Sequence, residues 1–199
     1  MGWKVKESKG DFESAPAGNH PAVLAAIIDL GVQRNDYQGV ESFQKRAYFC
    51  WELVTEKAKN GQTFVVGIDL TVSLNEKAKL RHFIDAWRGK AMAEGEEFDI
   101  SKLLGKKCLL TLTANKKGYP VVSGVAAIPK GMTVAEPTRK PVIWSLDDLD
   151  ETGKIELPEW LPRIFGETVK EVIEHRCEEE AEAPTSADAK HTEAVDDIF

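Results

Sequence analysis

The chain has 199 residues, 42% of them hydrophobic and 30% charged, which suits one ordinary domain plus an extension. No run of about 18 apolar residues is present, so a membrane-spanning helix is excluded. Residues 1–12 carry lysines without an apolar stretch, which argues against secretion, and three widely spaced cysteines (Cys50, Cys108, Cys177) fit a reducing cytoplasm better than a disulfide framework.

The net charge of −7 disfavours a nucleic-acid binder until it is divided. Residues 178–199 hold eight acids and one base, so the tail accounts for all of it. Residues 1–140 hold 21 Lys and Arg against 16 Asp and Glu. A mildly basic body therefore precedes an acidic end.

In chain order, residues 1–18 read as a loose arm, because Ser14 to Gly18 offer nothing to pack. Residues 22–30 read as a buried strand that Gly31 ends or kinks. Residues 34–44 read as a polar loop. Residues 45–56 form a second strand, with Ala47, Phe49, Trp51 and Leu53 on one face and Arg46, Tyr48, Cys50 and Glu52 on the other. Asn60-Gly61 is a strong hairpin signal, and strand three follows at 62–71 with Phe64, Val66, Ile68 and Leu70 on one face. Ser73-Leu-Asn-Glu76 has the capping-box pattern. It is expected to open a helix with Leu80, Phe83, Ile84 and Trp87 inward and Gly89 at its end. Asp99 is placed to cap a short helix over 100–104. Strand four is expected at 107–114, a turn at Lys116-Lys117-Gly118, and strand five at 119–128. Residues 130–142 read as loop, 143–177 as an extension with short apolar pieces and a helix at 167–177, and 178–199 as a disordered acidic tail. The domain reading is thus a flexible arm (1–18), a barrel (19–130), an extension packing on it (131–177) and the tail (178–199).

The order β-β-β-α-β-β predicts a mainly β fold with α: a five-stranded OB-fold-like barrel with its helix between strands three and four. Such barrels bind oligonucleotides or oligosaccharides with the face of strands two and three and the 1–2 and 4–5 loops. Here the 1–2 connection carries Arg34, Tyr37, Phe43, Lys45 and Arg46, and the 4–5 hairpin carries Lys116, Lys117 and Tyr119. Tyr48 lies on strand two opposite its core set. Cations along phosphates and flat rings under bases are what a single strand requires. These nine residues are the expected DNA-binding set, and DNA and RNA both satisfy that chemistry. Trp51 and Trp87 are expected in the core. Trp144 and Trp160 could cover the barrel's side or serve a subunit contact in a homo-oligomer.

The sequence closes in Asp196-Asp197-Ile198-Phe199. An aromatic plug with a free carboxylate, behind acids, suits a shallow apolar pocket edged by Arg. This ending resembles the acidic tip of bacterial single-stranded DNA-binding proteins, Asp-Asp-Ile-Pro-Phe, with the proline missing. The resemblance implies that Asp196, Asp197, Ile198 and Phe199 recruit replication, recombination or repair proteins. The body, over roughly 20–130, is similar to a group of bacteriophage single-stranded DNA-binding proteins. The similarity lies in Ile28-Asp-Leu-Gly31, Lys79-Leu-Arg81 with Ala86-Trp-Arg-Gly-Lys90, and Leu103-Leu-Gly-Lys106 with Cys108.

Two rivals remain. A protein-interaction or recombination-mediator module would present a hydrophobic barrel face. A metal-dependent nuclease would gather Asp147, Asp148, Asp150 and Glu151 in a cleft. No phosphate loop, dinucleotide fingerprint, His-Glu-x-x-His or Cys-x-x-Cys is present, and His175 with Cys177 alone makes a poor zinc site. The expectation is a binding protein without cofactor, metal or enzymatic activity, acting in DNA replication in the (host) cytoplasm and not on a membrane.

Overall fold

The computed structural model describes residues 13–37, 40–145 and 157–162. Strand β1 (Gly18–Tyr37) runs directly into β2 (Val40–Lys57) and β3 (Thr63–Thr71). Helix α1 (Lys79–Arg88) and a short 3-10 helix (Ile100–Leu103) come next, then β4 (Lys107–Ala114), β5 (Pro120–Ala126) and β6 (Val142–Trp144).

The strands form one sheet in the order β3-β2-β1-β4-β5, all antiparallel along that path, with β6 parallel to β1. Its two end strands, β3 and β5, share no ladder, so the sheet is open rather than the closed barrel expected from the element order. Strand β1 spans the whole arrangement. Its start, Gly18 to Val23, pairs β4, its middle, Ala26 to Ile28, pairs β6, and its other edge pairs β2 from Ala22 to Tyr37.

One core fills the concave side. Ala22, Leu24 and Ile27 of β1 meet Ala47, Phe49, Trp51 and Leu53 of β2, the expected inward set. Leu80, Phe83 and Ile84 of α1 close this core together with Cys108, Leu110 and Leu112 of β4 and Val122 and Val125 of β5. Trp51 stacks on Phe49 and tilts against Trp87, whose indole N–H donates to the Lys107 carbonyl at 2.9 Å. Trp51 is thus a core residue, and Trp87 packs half-buried against that core.

A second cluster covers the convex side: Ala26, Ile28, Leu30, Tyr48, Cys50 and Trp144, with Trp160 and Leu161 against it. The bulge between Leu24 and Ala26 makes this possible. It flips the alternation of β1, so Leu24 and Ile27 face one side and Ala26 and Ile28 the other. The middle of β1, Ala22 to Ile28, is apolar at every position because both its faces are covered there.

Several expectations need correction. The 34–44 loop is strand on both sides of the turn, because Gly31, at φ 72° with its N–H on the Asp29 carboxylate, forms a bulge within β1 instead of ending it. The Ser73–Glu76 capping box does not form. The helix starts at Lys79, Ala78 gives it no side-chain cap, and the Ser73 hydroxyl accepts from Asn75 N–H in a turn ahead of it. Residues 13–18 are not a loose arm: Ala15 is buried in the main core and the Glu13 carboxylate accepts the Lys59 N–H. A strand, β6, lies at the end of what reads as loop. The ends of α1 and the 3-10 helix follow expectation. Gly89 takes the left-handed conformation at φ 68°, and the Asp99 carboxylate accepts the Ser101 N–H at 3.0 Å. The helix expected at 167–177 and the tail lie outside the described residues.

Candidate nucleic-acid interface

The paired stretch of β1 and β2 beyond the core is a two-stranded ribbon. Val32 sits opposite Lys45, Gln33 opposite Gln44 and Arg34 opposite Phe43. Alternation places Val32, Arg34, Phe43 and Lys45 on one face and Gln33 and Gln44 on the other. The glutamine face turns to the body, with Gln33 buried and the Gln44 carbonyl accepting from the Thr71 hydroxyl at 2.9 Å. The other face is open. Phe43 is 60% exposed and Arg34 is exposed. The Lys45 ammonium, half exposed, lies 3.0 Å from the Asp29 carboxylate. This face continues the side that Ala47, Phe49 and Trp51 turn to the core, so Phe43 and Lys45 emerge where the core stops.

The second hairpin joins β4 to β5. The Asn115 carboxamide oxygen accepts the N–H groups of Lys117 and Tyr119 at 2.9 and 3.0 Å, and Gly118 supplies the positive φ of 82°. Lys116 and Lys117 are exposed, and so is Tyr119 at 52%, with Val121 beside it. The two hairpins have roots on one rim. Arg46 pairs with Thr71 at the end of β3, the Val72 N–H donates to the Lys45 carbonyl at 2.7 Å, and Lys79, at the start of α1, donates from Nζ to the Val122 carbonyl on β5.

Two members of the expected set are placed elsewhere. Tyr48 is 4% exposed and lies under the convex-side cluster. Its ring rests on Gly67, where a Cβ would fall 2.2 Å from it, and burial raises its hydroxyl pKa. It is a packing residue and not a stacking platform for bases. Arg46 is committed to Asp69, with Nε 2.8 and 2.9 Å from the two carboxylate oxygens. The side chain of Tyr37 lies outside the described residues, as do Asp196, Asp197, Ile198 and Phe199, the His175/Cys177 pair and the acids of 147–151.

Residues that the sequence reading did not single out seal the convex face. Glu52 is fully buried in the middle of β2. It accepts from the Thr63 hydroxyl at 2.7 Å and from the backbone N–H groups of Thr138 and Arg139, each at 3.0 Å. The Thr138 hydroxyl donates to it as well. The Arg139 guanidinium lies 3.3 Å from Glu52 and 5.6 Å above the Trp160 ring. Burial alone would push the Glu52 pKa up, but the hydrogen bonds from Thr138, Thr63 and Arg139 hold it below the usual Glu value. The available sequence signal was Cys50 and Tyr48 on the nominally outer face, which marks a strand covered on both sides.

Among the described residues, no group of three or more His, Cys, Asp or Glu side chains is arranged to hold a metal ion. No described helix is long and apolar enough to cross a membrane. Comparison with protein-family models, curated proteins and solved structures finds no match to this chain.

Proposed function

We propose that the chain is a sequence-tolerant single-stranded DNA-binding protein on an OB-type fold, acting in bacteriophage DNA replication or recombination. The observation that carries this reading is the strand path. A first strand shared between β2 and β4, with β3 and β5 at the two ends of the path and one helix between β3 and β4 in the chain, supports it, because a partly open five-stranded Greek-key barrel would have that connectivity. In that architecture the 1–2 and 4–5 connections bind oligonucleotides. Among the described residues these are the two places that expose an aromatic ring among cations: Phe43 with Arg34 and Lys45, and Tyr119 with Lys116 and Lys117. The function is binding without chemistry. Rings under unpaired bases and cations along phosphates give affinity with little sequence preference.

The test is a fluorescence titration with labelled oligo-dT, oligo-rU and a duplex of equal length. Oligo-dT is expected to bind more tightly than the duplex, and to weaken as salt rises. Equal affinity for duplex and single strand would sink the reading.

The acidic segment 178–199 is proposed to serve partner recruitment through Asp196, Asp197, Ile198 and Phe199. As a tethered polyanion it also competes with DNA for the basic rim, at an effective concentration on the order of millimolar. Deleting 178–199 should therefore tighten oligo-dT binding, most at low salt. Unchanged affinity at low salt would remove the competition from the proposal.

A further inference from the structure

The convex face of β2 and β3 is the surface that an OB-type barrel offers to a strand, and here the chain itself occupies it. Tyr48 and Cys50 lie beneath Trp144, with Trp160 and Leu161 packed alongside. Strand β6 is hydrogen-bonded into the sheet against Ala26 to Ile28. The cover is clipped down through Glu52, which takes hydrogen bonds from Thr138 and Arg139 while Arg139 lies over Trp160. Clearing this face would expose the apolar cluster. It would also present phosphates with Glu52, a carboxylate parted from the groups that neutralise it. The remaining cation on that face, Arg46, is already spanned by Asp69.

The β1–β2 ribbon has no such cover over its ring: Phe43 is 60% exposed, Arg34 is exposed, and Lys45 is half exposed beside Asp29. Arg34 and Phe43 are directly opposed across the strands, and Lys45 is next along the same face. A ring and a guanidinium at one cross-strand position form a base platform with a phosphate contact beside it. Toward the tip, Asn35 pairs Ser42 and Asp36 pairs Glu41 in the backbone register. In the other direction lies the rim that the ribbon shares with the β4–β5 hairpin.

We propose that a single strand lies along the Arg34–Phe43–Lys45 face of the ribbon and follows the rim toward Lys116, Lys117 and Tyr119, leaving the convex face of β2 and β3 to the chain's own extension. This rests on the nucleic-acid reading above. It further assigns the path: the strand meets the side that continues the core face of β2, not the side that carries Tyr48.

The experiment uses the full chain with an oligo-dT carrying photoreactive iodouracil, and maps the crosslinked residues. Binding is measured in parallel for Phe43→Ala, Phe43→Trp and Trp160→Ala. Crosslinks at Phe43 and Tyr119 are expected. Phe43→Ala should weaken oligo-dT binding about ten-fold or more, as loss of a stacked base does. Phe43→Trp should retain binding, and Trp160→Ala, if folded, should bind within about two-fold of the parent, as a residue off the path would. Crosslinks at Tyr48, Trp144 or Trp160, or unchanged affinity of Phe43→Ala, would overturn the path while leaving single-strand binding intact. Absence of saturable oligo-dT binding by the parent at low salt would overturn both.

Discussion

Phe43 and Tyr48 lie five residues apart on β2, both aromatic and each with a cation two positions away in sequence, Lys45 and Arg46. One is 60% exposed and the other 4%. Parity explains part of the difference, since an odd spacing puts them on opposite sides of the strand. Coverage explains the rest. The side that holds Phe43 is core as far as Ala47 and then runs past the end of the core. The side that holds Tyr48 is covered by a segment almost a hundred residues away in the chain. An aromatic on a strand becomes a binding residue or a packing residue according to what the rest of the chain lays over it, and its neighbours in sequence do not decide which.

The largest expected effect breaks the covered side. Glu52→Gln removes the charge that Arg139 faces and weakens the hydrogen bonds from Thr63, Thr138 and Arg139, which should cost about 3–5 kcal/mol for a broken buried pair. Urea unfolding at neutral pH would measure it. Because the folded pKa of Glu52 is depressed, its contribution is present in full above the ordinary Glu value of about 4.3 and is lost as pH falls through the folded value. Stability of the parent should therefore drop on acidification below about pH 4.3, and the variant should show a shallower drop. Equal slopes for the two would show that Glu52 does not carry this linkage.

Tyr48→Ala and Phe43→Ala contrast the two sides directly. Truncating the buried ring should cost about 3–5 kcal/mol of stability, the range for emptying a core aromatic site. Truncating the exposed one should change stability by no more than about 0.5 kcal/mol. Calorimetry on the pair gives both numbers. A Phe43→Ala variant destabilised as much as Tyr48→Ala would mean that the ribbon packs against something in solution.

Much of the main core was legible beforehand. The period-two sets of β2 and β3 and the apolar stripe of α1 with its Gly89 stop each mark one core-facing side, and such a side is announced in sequence whatever covers the other. Strand β1 was legible as buried but its length was not, because Gly31 reads as a stop when it serves as a bulge. The convex cluster was the hardest part. Its members come from residues 26–30, 48–50, 142–144 and 157–161, and no local pattern links those stretches. The candidate site residues divide on the same ground. Phe43, Lys116, Lys117 and Tyr119 are exposed at hairpins and Lys45 is half exposed beside Asp29, whereas Tyr48 and Arg46 are claimed by Gly67, Trp144 and Asp69, partners visible only once the sheet is assembled.

A smaller effect sharpens how Tyr48 is held. Gly67 is directly across from Cys50, and its missing side chain lets the Tyr48 ring lie against β3. Gly67→Ala forces a methyl into that ring, which overpacks the site and should cost about 1–3 kcal/mol. Combined with Tyr48→Leu the clash is relieved, so the double variant should be more stable than the sum of the two single changes predicts. Simple additivity in denaturant titrations would show that the ring does not rest on Gly67.

The smallest effect concerns the second hairpin and appears in salt dependence more than in stability. Lys116 and Lys117 are exposed at the tip of the β4–β5 turn, where alanine leaves the Asn115 turn bonds intact because those involve backbone N–H groups. Each phosphate contact to a single strand contributes about −0.7 to the slope of log K against log salt. If both lysines touch phosphates, replacing the pair should flatten the slope by about 1.4. Phe43→Ala should instead lower affinity at every salt concentration and leave the slope alone, because a stacked ring displaces no counterions. The two variants thus separate the two hairpins by the kind of contact each makes. An unchanged slope for Lys116→Ala/Lys117→Ala would confine the strand to the ribbon and end its path before the β4–β5 turn.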